Sequence, residues 1–122
     1  MNLVFIDDSA DNLNLFKIYL KGLDYSIQYF SSPQEGLDYL LNNEVDLCFL
    51  DIQMPSMSGD DLLVEYKKKC LEDKKIPCSV IALTGTTTDR ELTEFKNIGF
   101  TKVLIKPILK AKMIEVIEEF EN

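Results

Sequence analysis

The feature of this sequence that most constrains its fold is the alternation of a strand pattern with a helix pattern, repeated five times. Each short apolar run leads into a segment whose apolar residues recur at helical spacing. This alternation predicts a parallel sheet with right-handed crossovers and with helices on both faces. A chain of 122 residues is long enough for one hydrophobic core, so we interpret residues 1–122 as a single α/β domain.

The element boundaries follow from local signals. Ser32 with Glu35 and Thr88 with Glu91 have the spacing of capping boxes at helix starts. Ser58 precedes two aspartates and is expected to cap the third helix. Short apolar runs predict strands at residues 2–6, 25–30, 45–50, 78–83 and 102–105.

Four of the five predicted strands end on polar side chains: Asp7 and Asp8, then Asp51, Thr84 and Lys106. Because the carboxyl ends of parallel strands meet at one edge of the sheet, these side chains are expected to converge. Three carboxylates repel one another unless a cation neutralises them, and oxygen ligands without Cys or His favour Mg²⁺. A lysine and a hydroxyl opposite them would hold an anion. The set therefore predicts Mg²⁺-assisted phosphoryl transfer, in which a carboxylate can itself be the acceptor.

Composition excludes several other classes of function. The chain has no histidine, which removes the usual general base and any Cys/His zinc site. A net charge of −8 argues against binding to nucleic acid. No apolar run approaches the roughly 18 residues of a membrane span, and Asp7 and Asp8 interrupt any signal-peptide pattern. Three cysteines without a CxxC motif fit a reducing cytosol, so we expect a cytoplasmic protein that binds no membrane.

The polar residues at the strand ends, with their neighbours, form a pattern that covers the whole chain. Its elements, in chain order, are Asp7-Asp8, Asp51 within Asp-Ile-Gln-Met-Pro, Thr84 and Lys106-Pro107. This pattern resembles the signature of receiver domains of two-component response regulators. The resemblance implies a flavodoxin-like, doubly wound sheet of five parallel strands in the order 2-1-3-4-5, with five helices. The segment from Asp8 to Asn12 and the Lys-Pro-Ile ending resemble most the receivers that are attached to hybrid histidine kinases.

The resemblance also implies roles for individual residues. Asp51 would be the phosphoacceptor, and Asp7, Asp8 and Asp51 would hold Mg²⁺ together with the backbone carbonyl of Gln53. Thr84 would donate its hydroxyl to the bound phosphoryl group.

The remaining positions lie near the last strand. Lys106 would pair with a phosphoryl oxygen, and the peptide bond before Pro107 would be cis. Receiver domains usually carry Tyr or Phe three residues before the lysine, where this chain has Val103. That departure puts the family's aromatic switch in question, but not phosphorylation itself.

Taken as a receiver, the chain would accept a phosphoryl group from a phosphohistidine on a histidine kinase or a histidine phosphotransfer protein. It would then switch conformation or relay the group, and it would catalyse only its own phosphorylation and dephosphorylation. The first helix is the expected docking surface, with Leu13 and Ile18 either contacting a helical partner or merely widening the core stripe. Homodimerisation through the fourth helix, fifth strand and fifth helix occurs in the family. The chain would be a stand-alone receiver or part of a larger protein.

Two alternatives remain open from the sequence. A receiver-like interaction module that never uses phosphate would explain Val103, although such modules typically lack the acceptor or the lysine. A phosphatase of the haloacid-dehalogenase type would also form an aspartyl phosphate. Its DxDx[TV] motif is not matched here, because Ile52, Gln53 and Met54 follow Asp51.

Overall fold

The computed structural model describes residues 1–86 and 88–121, in which five strands alternate with five helices. In chain order these are β1 (Asn2–Ile6), α1 (Ala10–Leu20), β2 (Ser26–Phe30), α2 (Pro33–Asn42), β3 (Leu47–Asp51), α3 (Gly59–Glu72), β4 (Ser79–Thr84), α4 (Asp89–Ile98), β5 (Lys102–Ile105) and α5 (Lys110–Glu119). All strand pairs are parallel, and the order across the sheet is β2-β1-β3-β4-β5. The predicted flavodoxin-like topology is confirmed. β2 begins one residue later than predicted. β3 and β4 begin two and one residues later, and they continue onto Asp51 and Thr84.

The sheet separates two apolar clusters. Along the fully buried β3, Cys48 and Leu50 pack on the side covered by α2, α3 and α4. Leu47 and Phe49 pack on the side covered by α1 and α5. On that second side the rings of Phe5 and Phe49 are stacked with centroids 4.6 Å apart. Because β3 is buried on both faces, its apolar run is continuous rather than alternating.

Helix α1 packs through Leu13, Phe16 and Leu20, which are all buried against the α5 side of the core. Leu13 and Ile18 were predicted to share one role, either in the core or in partner binding, but the structure separates them. Leu13 is 6% exposed and belongs to the core, whereas Ile18 is 69% exposed. Positions 13, 16 and 20 lie on one helical face, and Ile18 projects from another.

The caps predicted at Ser32 and Ser58 are formed, and Ser9 caps α1 in the same way. The hydroxyls of Ser9, Ser32 and Ser58 each accept a hydrogen bond from the backbone N–H three residues later. Thr88 is the N-cap residue of α4, but its side chain makes no capping bond in the described part of the chain. The capping box predicted from Thr88 and Glu91 is therefore not formed in this structure.

Stability rests on the apolar core rather than on covalent cross-links. Cys48, Cys70 and Cys78 are free thiols. The longest described helix, α3, has 14 residues. No helix within residues 1–86 and 88–121 combines the length and apolar character needed to cross a membrane.

Candidate functional site

The polar residues predicted to converge lie together at the carboxyl edge of the sheet. Asp7 directly follows β1, Asp51 and Thr84 are the last residues of β3 and β4, and Lys106 follows β5. Among the described residues, the polar or charged side chains that are buried are Asp7, Asp51 and Thr84, at 0%, 2% and 1% exposure. Buried polar groups require partners, so this edge concentrates the unusual electrostatics of the molecule.

The three aspartates form an acidic cluster that is open to solvent on one side. One carboxylate oxygen from each of Asp7, Asp8 and Asp51 lies within 4.8 Å of the other two. Asp8 is exposed, whereas the other two are buried. A set of oxygen ligands at this spacing suits a hard divalent cation, because such ions prefer carboxylate and carbonyl oxygens.

Lys106 neutralises part of this negative charge. Its Nζ donates a hydrogen bond to Asp51 Oδ1 at 2.9 Å and lies 3.5 Å from Asp7 Oδ2. Its backbone N–H donates to the Thr84 carbonyl at 2.7 Å, and its peptide bond to Pro107 is cis. Burial raises the pKa of the Asp51 carboxyl above its ordinary value, the Lys106 hydrogen bond opposes that rise, and nearby Asp7 adds to it.

The first turn of α1 fixes the orientation of Asp7. Its Oδ1 accepts from the backbone N–H of Ser9 at 2.9 Å, and its Oδ2 accepts from the side-chain amide of Asn12 at 3.2 Å. The sequence pattern does not single out Asn12. The only available signal is its position three residues after the helix cap, which puts it in the first turn beside the strand end.

Two backbone features hold Asp51 in place. The N–H of Gln53 donates to Asp51 Oδ1 at 3.3 Å, and Gln53 itself is exposed. Gly59 packs closely behind the aspartate, since a Cβ added there would lie 2.5 Å from the Asp51 carbonyl oxygen. Only glycine fits at that distance.

Thr84 and Val103 lie on the side of the site that faces α4. The Thr84 hydroxyl oxygen accepts from the backbone N–H of Thr86 at 3.2 Å. Val103 pairs with Ala82 across the sheet and packs, half-buried, on the cluster that contains Phe95 of α4. The position of the missing aromatic therefore lies between the sheet and α4.

This fold and site define a flavodoxin-like α/β domain with a buried aspartate, an acidic cluster and a lysine at the carboxyl edge of its sheet. Residues 3–118 match the family model of the response regulator receiver domain, and the chain belongs to that family. Receiver domains are signalling modules that typically bind Mg²⁺ at an acidic pocket.

Two curated relatives match 93% of this chain at moderate identity. The response regulator SaeR of Staphylococcus aureus is 26% identical over 113 residues, which are 93% of this chain and 47% of that protein. A Haloferax volcanii protein is 28% identical over 114 residues, which are 93% of this chain and 18% of that protein. The chain thus spans less than half the length of either relative.

Solved structures share the fold across nearly the whole chain. A response regulator receiver domain protein from Clostridium thermocellum is 27% identical, with a TM-score of 0.82, and the match covers 98% of this chain and 92% of that one. The receiver domain of Ssk1 from Saccharomyces cerevisiae, solved with the histidine phosphotransfer protein Ypd1, has a TM-score of 0.91 at 19% identity. That match covers 98% of this chain and 88% of that one. At 19% identity the second likeness concerns the fold alone.

Proposed function

We propose that this receiver domain accepts a phosphoryl group on Asp51 from a phosphohistidine donor in a Mg²⁺-dependent reaction. The observation that carries the proposal is the buried Asp51 carboxylate, with Lys106 at 2.9 Å and two further carboxylates beside it. The Lys106 ammonium group pairs with both Asp51 and Asp7. It can therefore exchange one carboxylate for an oxygen of an incoming phosphoryl group.

The reaction exchanges one bond to phosphorus for another. Lys106 and the Gln53 N–H both bind Oδ1 of Asp51, which leaves Oδ2 as the nucleophilic oxygen. An oxygen–phosphorus bond forms as the nitrogen–phosphorus bond of the donor breaks, and the donor imidazole leaves with the electron pair and is protonated. Lys106 and the Thr84 hydroxyl then bind phosphoryl oxygens, stabilising charge that is greatest in the transition state.

The donor set fits a magnesium ion. Asp7, Asp8 and Asp51 would supply carboxylate oxygens, and the backbone carbonyl of Gln53 would complete the protein ligands, as the family resemblance implies. When bound, Mg²⁺ neutralises the clustered carboxylates and the phosphoryl oxygens together. The domain catalyses this transfer and the later hydrolysis of its own aspartyl phosphate, and turns over no separate substrate.

The test is intact-mass spectrometry after incubation with Mg²⁺ and acetyl phosphate, followed by a phosphorylated histidine phosphotransfer protein as donor. We expect the wild-type chain to gain one phosphate and Asp51→Asn to gain none. Asp11→Asn removes an exposed carboxylate from the nearby first turn of α1 and should gain phosphate normally. Phosphate incorporation by Asp51→Asn equal to wild type would contradict the proposal. Failure with both donors would favour the phosphate-independent interaction module that Val103 makes conceivable.

The donor protein would dock on α1 beside the site. Leu15 and Ile18 are 40% and 69% exposed on this helix. Leu15 also lines a cavity of about 260 Å³ between α1 and the site. Lys106, Pro107 and Ile108 line the other side of this cavity. An exposed apolar patch beside a charged site fits the apolar face of a helical partner, such as a histidine kinase or a histidine phosphotransfer protein. The yeast Ssk1 receiver domain was solved in complex with a histidine phosphotransfer protein.

Ile18→Glu should slow phosphotransfer from a protein donor, because a buried charge weakens docking, while leaving the reaction with acetyl phosphate unchanged. Leu71→Glu is the matched control, since Leu71 is 80% exposed on α3, on the opposite face of the sheet. The measurement is the rate of phosphate loss from the donor. Equal rates for the two variants would remove α1 as the docking surface.

The wider setting is also a proposal. We treat residues 1–122 as one receiver domain that acts alone or within a longer regulator. The free thiols support a reducing, cytoplasmic setting. Ile105 and Leu109, at 41% and 68% exposure, support a homodimer through α4, β5 and α5.

A further inference from the structure

The N-terminus of α4 differs from those of the three helices that begin with serine. In α1, α2 and α3 the capping hydroxyl accepts from the backbone N–H three residues later. In α4 the equivalent bond would join the Thr88 hydroxyl to the N–H of Glu91, and within the described residues that bond is absent. Thr88 is a residue type that caps well, so the unmade bond directs attention to the other contacts of its hydroxyl.

The Thr88 hydroxyl points toward the Thr86 side chain instead of toward the Glu91 N–H. The hydroxyl oxygens of Thr86 and Thr88 lie 3.2 Å apart, and the Thr86 oxygen also accepts from the backbone N–H of Thr88 at 3.3 Å. Thr86 is in turn bound to the phosphorylation site, because its own N–H donates to the Thr84 hydroxyl oxygen at 3.2 Å. The three side chains thus form a continuous path, which we call the threonine relay, from the site to the start of α4.

Helix α4 is weakly anchored at the end of this path. Of its ten residues only Phe95 is fully buried, and the others contact the core partly or face solvent. Val103, beneath the helix, lacks the volume of an aromatic ring. A helix with one buried anchor and an unmade cap is easily shifted by a single hydrogen bond at its first turn.

We propose that the threonine relay couples phosphorylation of Asp51 to the capping of α4. The inference depends on the proposed function, because it starts when the Thr84 hydroxyl rotates to donate to the phosphoryl group. The Thr86 N–H then loses its favourable acceptor, Thr86 moves with it, and the Thr88 hydroxyl is released to accept from Glu91. Phosphorylation thereby stabilises the first turn of α4 without an aromatic side chain at position 103.

Two isosteric substitutions should have different effects on the cap of α4. Thr86→Val removes the competing hydroxyl, so α4 should be capped even without phosphate. Thr88→Val removes the capping hydroxyl, so α4 should remain uncapped with or without phosphate. Thr88→Ser keeps a hydroxyl and should respond to phosphate as the wild type does. A purely structural role for the loop predicts the same direction of change for both valine variants.

The experiment is amide exchange with water, measured by NMR at Glu91, with and without Mg²⁺ and acetyl phosphate. Phosphate incorporation is measured by mass in the same samples, and the Asp61 amide, capped by Ser58, is the internal reference. Capping should slow Glu91 exchange by about fivefold in the phosphorylated wild type and in unphosphorylated Thr86→Val. Exchange at Glu91 that slows equally in phosphorylated Thr88→Val and wild type would overturn the relay.

The phosphate-free samples separate this inference from the proposed function. If the wild type takes up no phosphate, the proposed function fails, yet Thr86→Val must still slow Glu91 exchange relative to wild type. Unchanged exchange in that variant overturns the relay whatever the outcome of phosphorylation.

Discussion

Lys106 is the residue on which the electrostatics of the site depend most. It faces the two buried carboxylates, Asp7 and Asp51, and lies within 3.5 Å of each. Leaving a buried carboxylate without such a partner costs several times more than an exposed ion pair contributes. The lysine therefore keeps an acidic site folded while remaining able to exchange partners.

Gly59 makes a separate contribution at the scale of one residue. Gly59→Ala should lower the free energy of unfolding by about 1–3 kcal/mol, because the added Cβ meets backbone atoms that have no room to move aside. Those atoms are the Asp51 carbonyl oxygen at 2.5 Å and Ile52 Cα at 2.9 Å. The measurement is urea unfolding followed by circular dichroism.

Gly85→Ala is the matched control for that substitution. Among the residues that the structure describes, a Cβ at position 85 would meet only the flexible end of Gln53, at 3.9 Å. The two variants should therefore differ clearly in their unfolding midpoints. Equal midpoints would mean that the contact at Gly59 relaxes at no cost.

Among the helices, α3 and α4 begin on either side of the site and differ in their N-terminal capping. Ser58 caps α3 by accepting a hydrogen bond from the Asp61 N–H at 3.2 Å, directly after the loop that follows Asp51. Thr88 leaves α4 uncapped in the described part of the chain. The helix beside the acceptor thus has its side-chain cap, and the helix across the site has the corresponding bond unmade.

Ser58→Ala should destabilise the protein by about 1 kcal/mol, because the N–H of Asp61 loses its acceptor at a helix terminus. Ser56→Ala changes an exposed serine two residues earlier, outside the helix, and should leave stability within about 0.5 kcal/mol of wild type. Thermal and urea unfolding measure both effects. A loss for Ser58→Ala no greater than for Ser56→Ala would argue that the cap contributes nothing.

At the scale of the whole molecule, net charge and site charge act together. The chain carries a net charge of −8, and three of its carboxylates are within 4.8 Å of one another. Concentrated negative charge destabilises the compact state, and a cation that binds only the folded protein reverses this effect.

Mg²⁺ should therefore raise the unfolding temperature of the wild type, with a gain of about 2.7 kcal/mol when its concentration is about 100 times the Kd. Asp8→Asn should unfold at a higher temperature than wild type without Mg²⁺, because it relieves repulsion within the cluster. The same variant should lose most of the gain from Mg²⁺.

Glu72→Gln removes one exposed carboxylate at the end of α3 and is the control for net charge. It should keep the full response to Mg²⁺. An equal loss of the response in Glu72→Gln and Asp8→Asn would mean that Mg²⁺ acts by general screening and not by binding the cluster.

Much of the fold and of the site was predictable from local patterns. The alternation of strand and helix periods sets a parallel sheet, and parallel strands bring Asp7, Asp51, Thr84 and Lys106 to one edge. Chain order alone carries that information, because every strand runs in the same direction. The partners of those residues were not predictable in the same way. Asn12 reaches Asp7 only through the way α1 sits against β1.

The order of elements, the residues at the strand ends and the capping serines of α2 and α3 follow from the local sequence. These depend on neighbours within a few positions along the chain. The burial of Leu13, the exposure of Ile18 and the contact of the Thr88 hydroxyl with Thr86 arise from the folded structure. Burial and competing hydrogen bonds depend on which groups meet in space, and a local pattern cannot rank partners that the fold brings together.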